Sequence, residues 1–246
     1  MLDHYSYSTL TLFETCPYAF YLEKVEGVDV LDNAFAQHGT LCHELIEEWA
    51  NGNLKAGDLA GEYEARYPVM VTASFPKFLA KGNYKQAAFE KGLAYFENFN
   101  KFEGYEIIAA EQPFETDLNG RRFVGVIDLI LRSEAGDTII CDHKSKSLNS
   151  FKKSEKTMYR QQYLYSKPYY EKYGEFPKYL MFNLFQDDVK VMKPFDKAAY
   201  NDTLDWANRT IDKIENCGIL EFLETKKKDL FCTSICSVRN ACQNGK

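Results

Sequence analysis

Residues 125–146 read GVIDLILRSEAGDTIICDHKSK. Two apolar runs, VIDLIL and TIICD, flank a turn at Glu134 to Gly136, which is the pattern of two neighbouring strands. Each run carries an acid. Asp128 stands near the middle of the first strand, and Asp142 stands at the end of the second, two residues before Lys144. Strand side chains alternate between faces, so Asp142 and Lys144 point one way while Cys141 and His143 point the other. Burying a carboxylate in so apolar a strand is costly unless something compensates it. A divalent cation held between two carboxylates of adjacent strands is one compensation. Two carboxylates, a metal and a lysine suffice for phosphodiester hydrolysis. Ordinary salt bridges are the alternative reading of the same residues.

Working outward, YEIIAAEQPFETDL and RRFVGVIDLILR are β-rich and meet at Asn119-Gly120, a tight-turn signal. YKQAAFEKGLAYFENFNKF before them has helical periodicity. SEKTMYRQQYLYSKPYYEKYG after them is helical too, with Pro168 expected to kink it or end its regular part. KYLMFNLFQ is a further strand that pairs with DVKVMKPF. From about Tyr84 the order is α-β-β-β-α-β, so the fold class is mixed α/β with added amino- and carboxy-terminal helices. Upstream, SYSTLTLFETCPYAFYLEKVEG opens with serines able to cap a helix, which Pro17 bends or interrupts. QHGTLCHELIEEWANG gives a second helix with Thr40 as cap, and DLAGEYEARYP a third. DKAAYNDTLDWANRTIDKIENCG gives the last, closed by Gly218. The expected organisation is a single domain over 1–246. It divides into a helical part to about residue 82, a core over about 83–194, and a carboxy-terminal helix with a cysteine tail.

A hydrophobic share of 45% over 246 residues supports a globular core. The chain begins with neither a signal-peptide pattern nor a membrane-length apolar run, so a soluble, intracellular protein is expected. Net charge is −6, which argues mildly against nucleic acid, but its distribution is uneven. HKSKSLNSFKKSEKTMYR carries Lys144, Lys146, Lys152, Lys153, Lys156 and Arg160 against the single acid Glu155. Lys226 to Lys228 form a second basic run. Either run reads as a solvated face when taken alone. Cys42, Cys141 and Cys217 read as small buried hydrophobes. Cys232, Cys236 and Cys242, crowded into the polar tail DLFCTSICSVRNACQNGK, read instead as part of a metal site.

Taken in order, these motifs resemble the PD-(D/E)xK nuclease superfamily, and within it the RecB-type exonucleases. That branch includes CRISPR-adaptation nucleases and phage-encoded recombination exonucleases. SYSTLTLFETCPYAFYL is similar to the family's amino-terminal Ser-x-Leu-x-x-Phe-x-x-Cys-Pro element. HGTLCHELIEE is similar to its helix with a metal-binding histidine, here His43, and RQQYLYS contains its Gln-x-x-x-Tyr element. The resemblance runs from about Ser6 to Cys242 and implies a restriction-endonuclease-like αβββαβ core. It implies His43, Asp128, Asp142 and the His143 backbone carbonyl as ligands of Mg²⁺ or Mn²⁺, with Glu111, at the end of the first strand, acting through water. It further implies Lys144 acting on the attacking water or the phosphate, and Gln161 and Tyr165 holding the lysine or the DNA backbone. Lys146, Lys152, Lys153 and Arg160 then follow a phosphate backbone towards the metal. Phe151, Tyr159 and Tyr163 have packing and base stacking as alternatives.

The implied activity is a metal-dependent DNA exonuclease acting on single strands or duplex ends in recombination, repair or CRISPR-type processing. The implied setting is the cytoplasm of a bacterial, archaeal or phage-infected cell, with a protein partner in such a complex and no membrane. A nucleic-acid-binding or assembly subunit without useful cleavage is the alternative. No Gly-x-x-x-x-Gly-Lys-Ser/Thr loop occurs, so a helicase motor would have to lie on another chain. Cys16 joins the tail as a fourth cysteine. The resemblance implies that Cys16, Cys232, Cys236 and Cys242 staple the two chain ends through a 4Fe–4S cluster, with Zn²⁺ as the alternative. The chain departs from the family in placing three residues, not two, between Cys232 and Cys236.

Overall fold

The computed structural model describes residues 2–75, 83–224 and 230–242. The basic run at Lys226 to Lys228 lies outside them. Five strands form one sheet in the order β1 (Tyr105–Leu118), β2 (Arg121–Ser133), β3 (Thr138–Lys144), β4 (Tyr179–Leu184) and β5 (Val189–Pro194). Only β3 and β4 are parallel. They are joined by the 26-residue helix α6 (Leu148–Tyr173), as a parallel pair requires a crossover. Asn119 and Gly120 both have positive φ, 53° and 79°, the backbone a two-residue hairpin demands. The amide of Gly120 donates to Asp117 Oδ1 at 3.0 Å, which tightens the same turn.

The sheet divides the core into two layers. Ile130, Ile140 and Phe182 pack with Leu10 of α1 (Tyr7–Thr15), Tyr159 and Leu164 of α6, and Trp206 of α7 (Lys197–Asn216). On the other face Leu129, Ile139, Cys141 and Met181 pack with three helices. These are α3 (Ala34–Ala50), α4 (Leu59–Met70) and α5 (Tyr84–Glu97). Along β3, Ile140 thus goes one way and Ile139 and Cys141 the other, so the period of two is kept. Nearly every β3 residue is buried, which explains why that strand reads as a continuous apolar run. α4 and α5 meet at Gly92, where an added Cβ would stand 2.1 Å from the Tyr63 hydroxyl.

Several local expectations are corrected. α3 starts at Ala34 rather than near Thr40, because the Asn33 side chain accepts from the amides of Phe35 and Ala36. Pro17 does interrupt: α1 ends at Thr15, Cys16 is extended, and Pro17 takes the first position of α2 (Pro17–Phe20). Pro168 neither ends nor breaks α6, which continues to Tyr173 and is closed by Gly174 at φ 79°. One lost amide bond costs less than unseating a helix whose face is buried against the sheet. Gly218 does not close α7. Its carbonyl accepts from Glu221 and Phe222, so it opens α8 (Ile219–Glu224) instead. Cys217 is only half-buried, unlike Cys42 and Cys141.

The tail is not loop-like throughout. α9 (Leu230–Ser234) and the following turns dock on the amino-terminal segment. The Leu31 amide donates to Ser237 O at 2.8 Å, Asn33 Nδ2 donates to Ile235 O at 3.1 Å, and Ser237 Oγ donates to Glu23 at 2.8 Å. Tyr18, Leu22, Cys236, Val238 and Cys242 form a small core of their own beneath these bonds. Among the described residues no helix is long and apolar enough to cross a membrane.

His38 of α3 is buried among aromatic rings, and its Nε2 lies 2.9 Å from the Tyr63 hydroxyl. Burial pushes its pKa down to about 4. The folded chain therefore keeps it neutral while the unfolded chain protonates it near pH 6.5. Its contribution is intact above pH 6.5 and is lost as pH falls towards 4, by roughly 3 kcal/mol at most. In denaturant titrations, His38→Gln should become relatively more stable against the native chain as pH is lowered through that window. A difference independent of pH would contradict a buried neutral imidazole.

Candidate active site

The site forms where β2 and β3 part. Their paired residues run from Arg132↔Thr138 to Leu129↔Cys141 and stop there. Beyond that point the Asp128 carboxylate accepts the His143 amide at 2.8 Å, doing with a side chain what the ladder no longer does. Glu111 of β1 lies opposite Asp128, between the pairs Ala110↔Leu129 and Gln112↔Ile127, and has φ 44°. It is therefore mid-strand rather than at a strand end. A left-handed backbone is uncommon for a residue with a side chain, and such strain gathers at functional positions.

α3 supplies His43. Its Nε2 is 3.0 Å from the carbonyl oxygen of His143, and its Nδ1 lies 3.5 Å from Asp128 Oδ2 and 3.8 Å from Glu111 Oε1. One donor atom from each of His43, Glu111 and Asp128 lies within 4.8 Å of the other two. Beside them Asp142 Oδ2 is 2.6 Å from Lys144 Nζ, as the strand alternation expects. Asp142 is only 2% exposed; Lys144 meets its Oδ2, while its buried Oδ1 has no hydrogen-bond partner among the described residues. Burial pushes its pKa up to about 6, helped by Asp128 and opposed by Lys144. Burial raises Asp128 likewise. Burial works against the charge of Lys144, but Asp142 and Asp128 carry it above the ordinary lysine value. His43 is also raised, burial being outweighed chiefly by Asp128 and Glu111.

One imidazole nitrogen and two carboxylates gathered within 4.8 Å, with the His143 carbonyl against the other nitrogen of the same ring and the buried Asp142 carboxylate alongside, fit a divalent cation of the Mg²⁺ or Mn²⁺ kind. The expected ligands His43, Asp128 and the His143 carbonyl are brought together. Glu111 stands in the group itself, whereas Asp142 stands outside it and faces Lys144.

Gln161 and Tyr165, one turn apart on α6, bond to each other at 3.2 Å, and neither bonds to Lys144 among the described residues. Tyr165 is raised by burial first and then by Asp142. Its ring packs edge-on against Phe114 above Gly125. A Cβ at Gly125 would stand 2.6 Å from Phe114 Cζ and 3.2 Å from Tyr165 Cε1. Tyr7 of α1, not singled out from the sequence, is also raised by burial and then by Asp142, and its hydroxyl donates to Thr157 O at 2.9 Å. Glu47 was likewise missed. It lines the cavity beside His43, Glu44 and Glu111, and its spacing of four from His43 was the available signal.

The basic residues divide. Lys152 and Lys153 are exposed on the first turns of α6. Lys146 is half-buried, with its pKa lowered by burial and then by Lys144. Arg160 is already engaged, 3.3 Å from Glu14 and stacked 4.3 Å over the Trp206 ring. Phe151, Tyr159 and Tyr163 are 0–3% exposed, which gives them packing roles and removes base stacking.

Apart from this group, Cys16, Cys232, Cys236 and Cys242 line one small cavity with Tyr18 and Phe231. The Cys236 thiol is raised by burial and by its three companions. The four thiols thus converge on one cavity.

An αβββαβ order with acids, a histidine and a lysine gathered at the splayed ends of β2 and β3 defines a nuclease-like architecture. The family model of the PD-(D/E)XK nuclease superfamily matches residues 4–243, and the chain belongs to that superfamily. Its members are hydrolytic nucleases that use divalent metals, with DNA as substrate. Among solved structures, a "Putative exonuclease" from Eubacterium rectale is similar, at 15% identity and TM-score 0.56. The match covers 99% of this chain and 88% of that one. The structure of SSO0001 is also 15% identical, over 77% of this chain and 82% of that one, with a TM-score of only 0.32. No curated protein matches the sequence.

The backbone at Glu111 gives a test independent of activity. Both Glu111→Gly and Glu111→Ala remove the carboxylate, but only glycine is at ease at φ 44°. Glu111→Gly should be more stable than Glu111→Ala by about 1 kcal/mol in equilibrium unfolding. Equal stabilities would mean that the left-handed turn relaxes without cost.

Proposed function

We propose that the chain is a divalent-metal-dependent DNA exonuclease acting on single strands or duplex ends. The observation that carries this is the convergence of His43, Glu111, Asp128 and the His143 carbonyl beside the Asp142–Lys144 pair. The superfamily supports hydrolysis, and the fold neighbour's name supports action at ends. His43, Asp128, Glu111 and the His143 carbonyl would hold Mg²⁺ or Mn²⁺, and Asp142 would close on it. When bound, the cation supplies Lewis-acid stabilisation of charge on the phosphate and a more acidic water.

The chain's own groups do the rest. Lys144, paired with a carboxylate, is an ammonium, so it donates hydrogen bonds to the attacking water or to a phosphate oxygen rather than taking a proton. The buried Asp142 holds that ammonium at 2.6 Å. Gln161 and Tyr165 position one another over the acid side of the site, and Lys146, Lys152 and Lys153 draw the strand in electrostatically. The chain acts as one nuclease domain, in recombination, repair or CRISPR-type processing with a protein partner.

The four cysteines are assigned to a 4Fe–4S cluster. Their convergence on one cavity supports a metal centre, and a set of four thiolates suits such a cluster. It would add to the tail contacts already made at Ser237 and Ile235.

Two experiments test the reading. End-labelled single-stranded DNA should be degraded in Mn²⁺, and Lys144→Ala should lose roughly 10²–10³-fold of that rate while still binding DNA. Equal digestion by both chains removes the lysine from the mechanism. Purified without oxygen, the chain should be brown with iron and acid-labile sulfide, and Cys232→Ala should melt lower and be less soluble. A colourless chain with stoichiometric zinc, or an equally stable variant, would overturn the cluster.

A further inference from the structure

α7 packs against α6 and leaves a furrow that the active-site chemistry does not use. Four cations line it: Lys156 and Arg160 from α6, Lys193 from β5 and Arg209 from α7. Two acids, Asp202 and Asp205, share the same walls, so the furrow is net positive in a chain whose net charge is −6. Lys156, Lys193 and Arg209 form no ion pair among the described residues, unlike Arg160 with Glu14. Their charge is therefore unspent. Lys193 instead lies 3.6 Å over the ring of Tyr159, which with Trp206 makes an apolar floor.

The furrow adjoins the acids. Tyr7 packs edge-on against Trp206 with ring centroids 6.3 Å apart, and its hydroxyl is bound to Thr157 O on α6. Burial and then the charge of Asp142 raise the pKa of that hydroxyl, while Arg160 of the furrow lowers it. Cations on the walls of one furrow suit a single phosphodiester backbone lying along it. The floor rings are too buried to stack on bases, so recognition falls to the cations and is indifferent to sequence.

We propose that the α6–α7 furrow holds the phosphate backbone of a single nucleic-acid strand leading from the active site, with Lys156, Lys193 and Arg209 as phosphate contacts. Arg160, braced by Glu14 and Trp206, marks its active-site end. The proposal rests on the nuclease reading for the strand's destination, but its test does not depend on cleavage.

Binding of a long fluorescent single-stranded oligonucleotide is measured without divalent metal, so that the strand stays intact, across a salt series. Each phosphate contact removed lowers the log–log salt slope by about 0.7. The double variant Lys156→Ala/Arg209→Ala should therefore lose about 1.4 of slope and bind correspondingly more weakly. Lys55→Ala/Lys85→Ala removes the same charge from exposed positions outside the furrow and should leave the slope as it is. An unchanged slope in the furrow variant, an equal drop in both pairs, or no binding by the native chain overturns the proposal. Mn²⁺-dependent cleavage by the native chain is scored separately. Cleavage with an unchanged slope sinks the furrow alone, while a lowered slope without cleavage sinks the nuclease reading and keeps the furrow.

Discussion

The bond from the His143 amide to the Asp128 carboxylate is the constraint on which the site depends. Where β2 and β3 stop pairing, a backbone donor would be left buried and unmet, at a cost comparable to a lost hydrogen bond. Asp128 meets that donor and fixes its own carboxylate at the strand fork. The next backbone group, the His143 carbonyl, is left facing His43. A single side chain thus ends the ladder, places an acid and aims a carbonyl.

The two helical layers contribute differently to that fork. From one face α3 brings His43 against Asp128 and Glu111. From the other, α6 and α1 bring Tyr165, Gln161 and Tyr7 to the side of Asp142. Carboxylates packed this closely in a poorly solvated place raise one another's pKa, and Lys144 meets only one oxygen of Asp142, leaving its Oδ1 without a partner among the described residues. The left-handed backbone at Glu111 belongs to the same economy, since strain persists only where surrounding structure holds it. Tail contacts to Leu31, Asn33 and Glu23 tie the last described residues to the segment leading into α3. The flank of the helix that carries His43 is thereby held at both ends of the chain.

Much of this was legible in the residues. The Asn119-Gly120 hairpin, the acid within VIDLIL and the Asp-x-Lys at the end of β3 each have a local physical signature. Glu111 was placed at a strand end because nothing local marks a positive φ inside an apolar strand. Thr40, Pro168 and Gly218 each look like a boundary locally, yet Asn33 is the better cap for α3, burial carries α6 past Pro168, and Gly218 starts α8 instead of closing α7. Tyr7 and Glu47 escaped notice because their neighbours in the site come from distant elements.

By itself the sequence determined the α-β-β-β-α-β order, the faces of β3 and the residue types able to hold a cation, because periodicity and charge burial are properties of short stretches. Only the tertiary structure decided which acids stand together. It put Glu111 rather than Asp142 beside His43 and Asp128, and it set Arg160 on Glu14 while, among the described residues, giving Lys193 and Arg209 no ion pair. Those outcomes turn on where strands part and how helices lean on the sheet, and distances of a few ångströms between remote elements are not encoded at any one position.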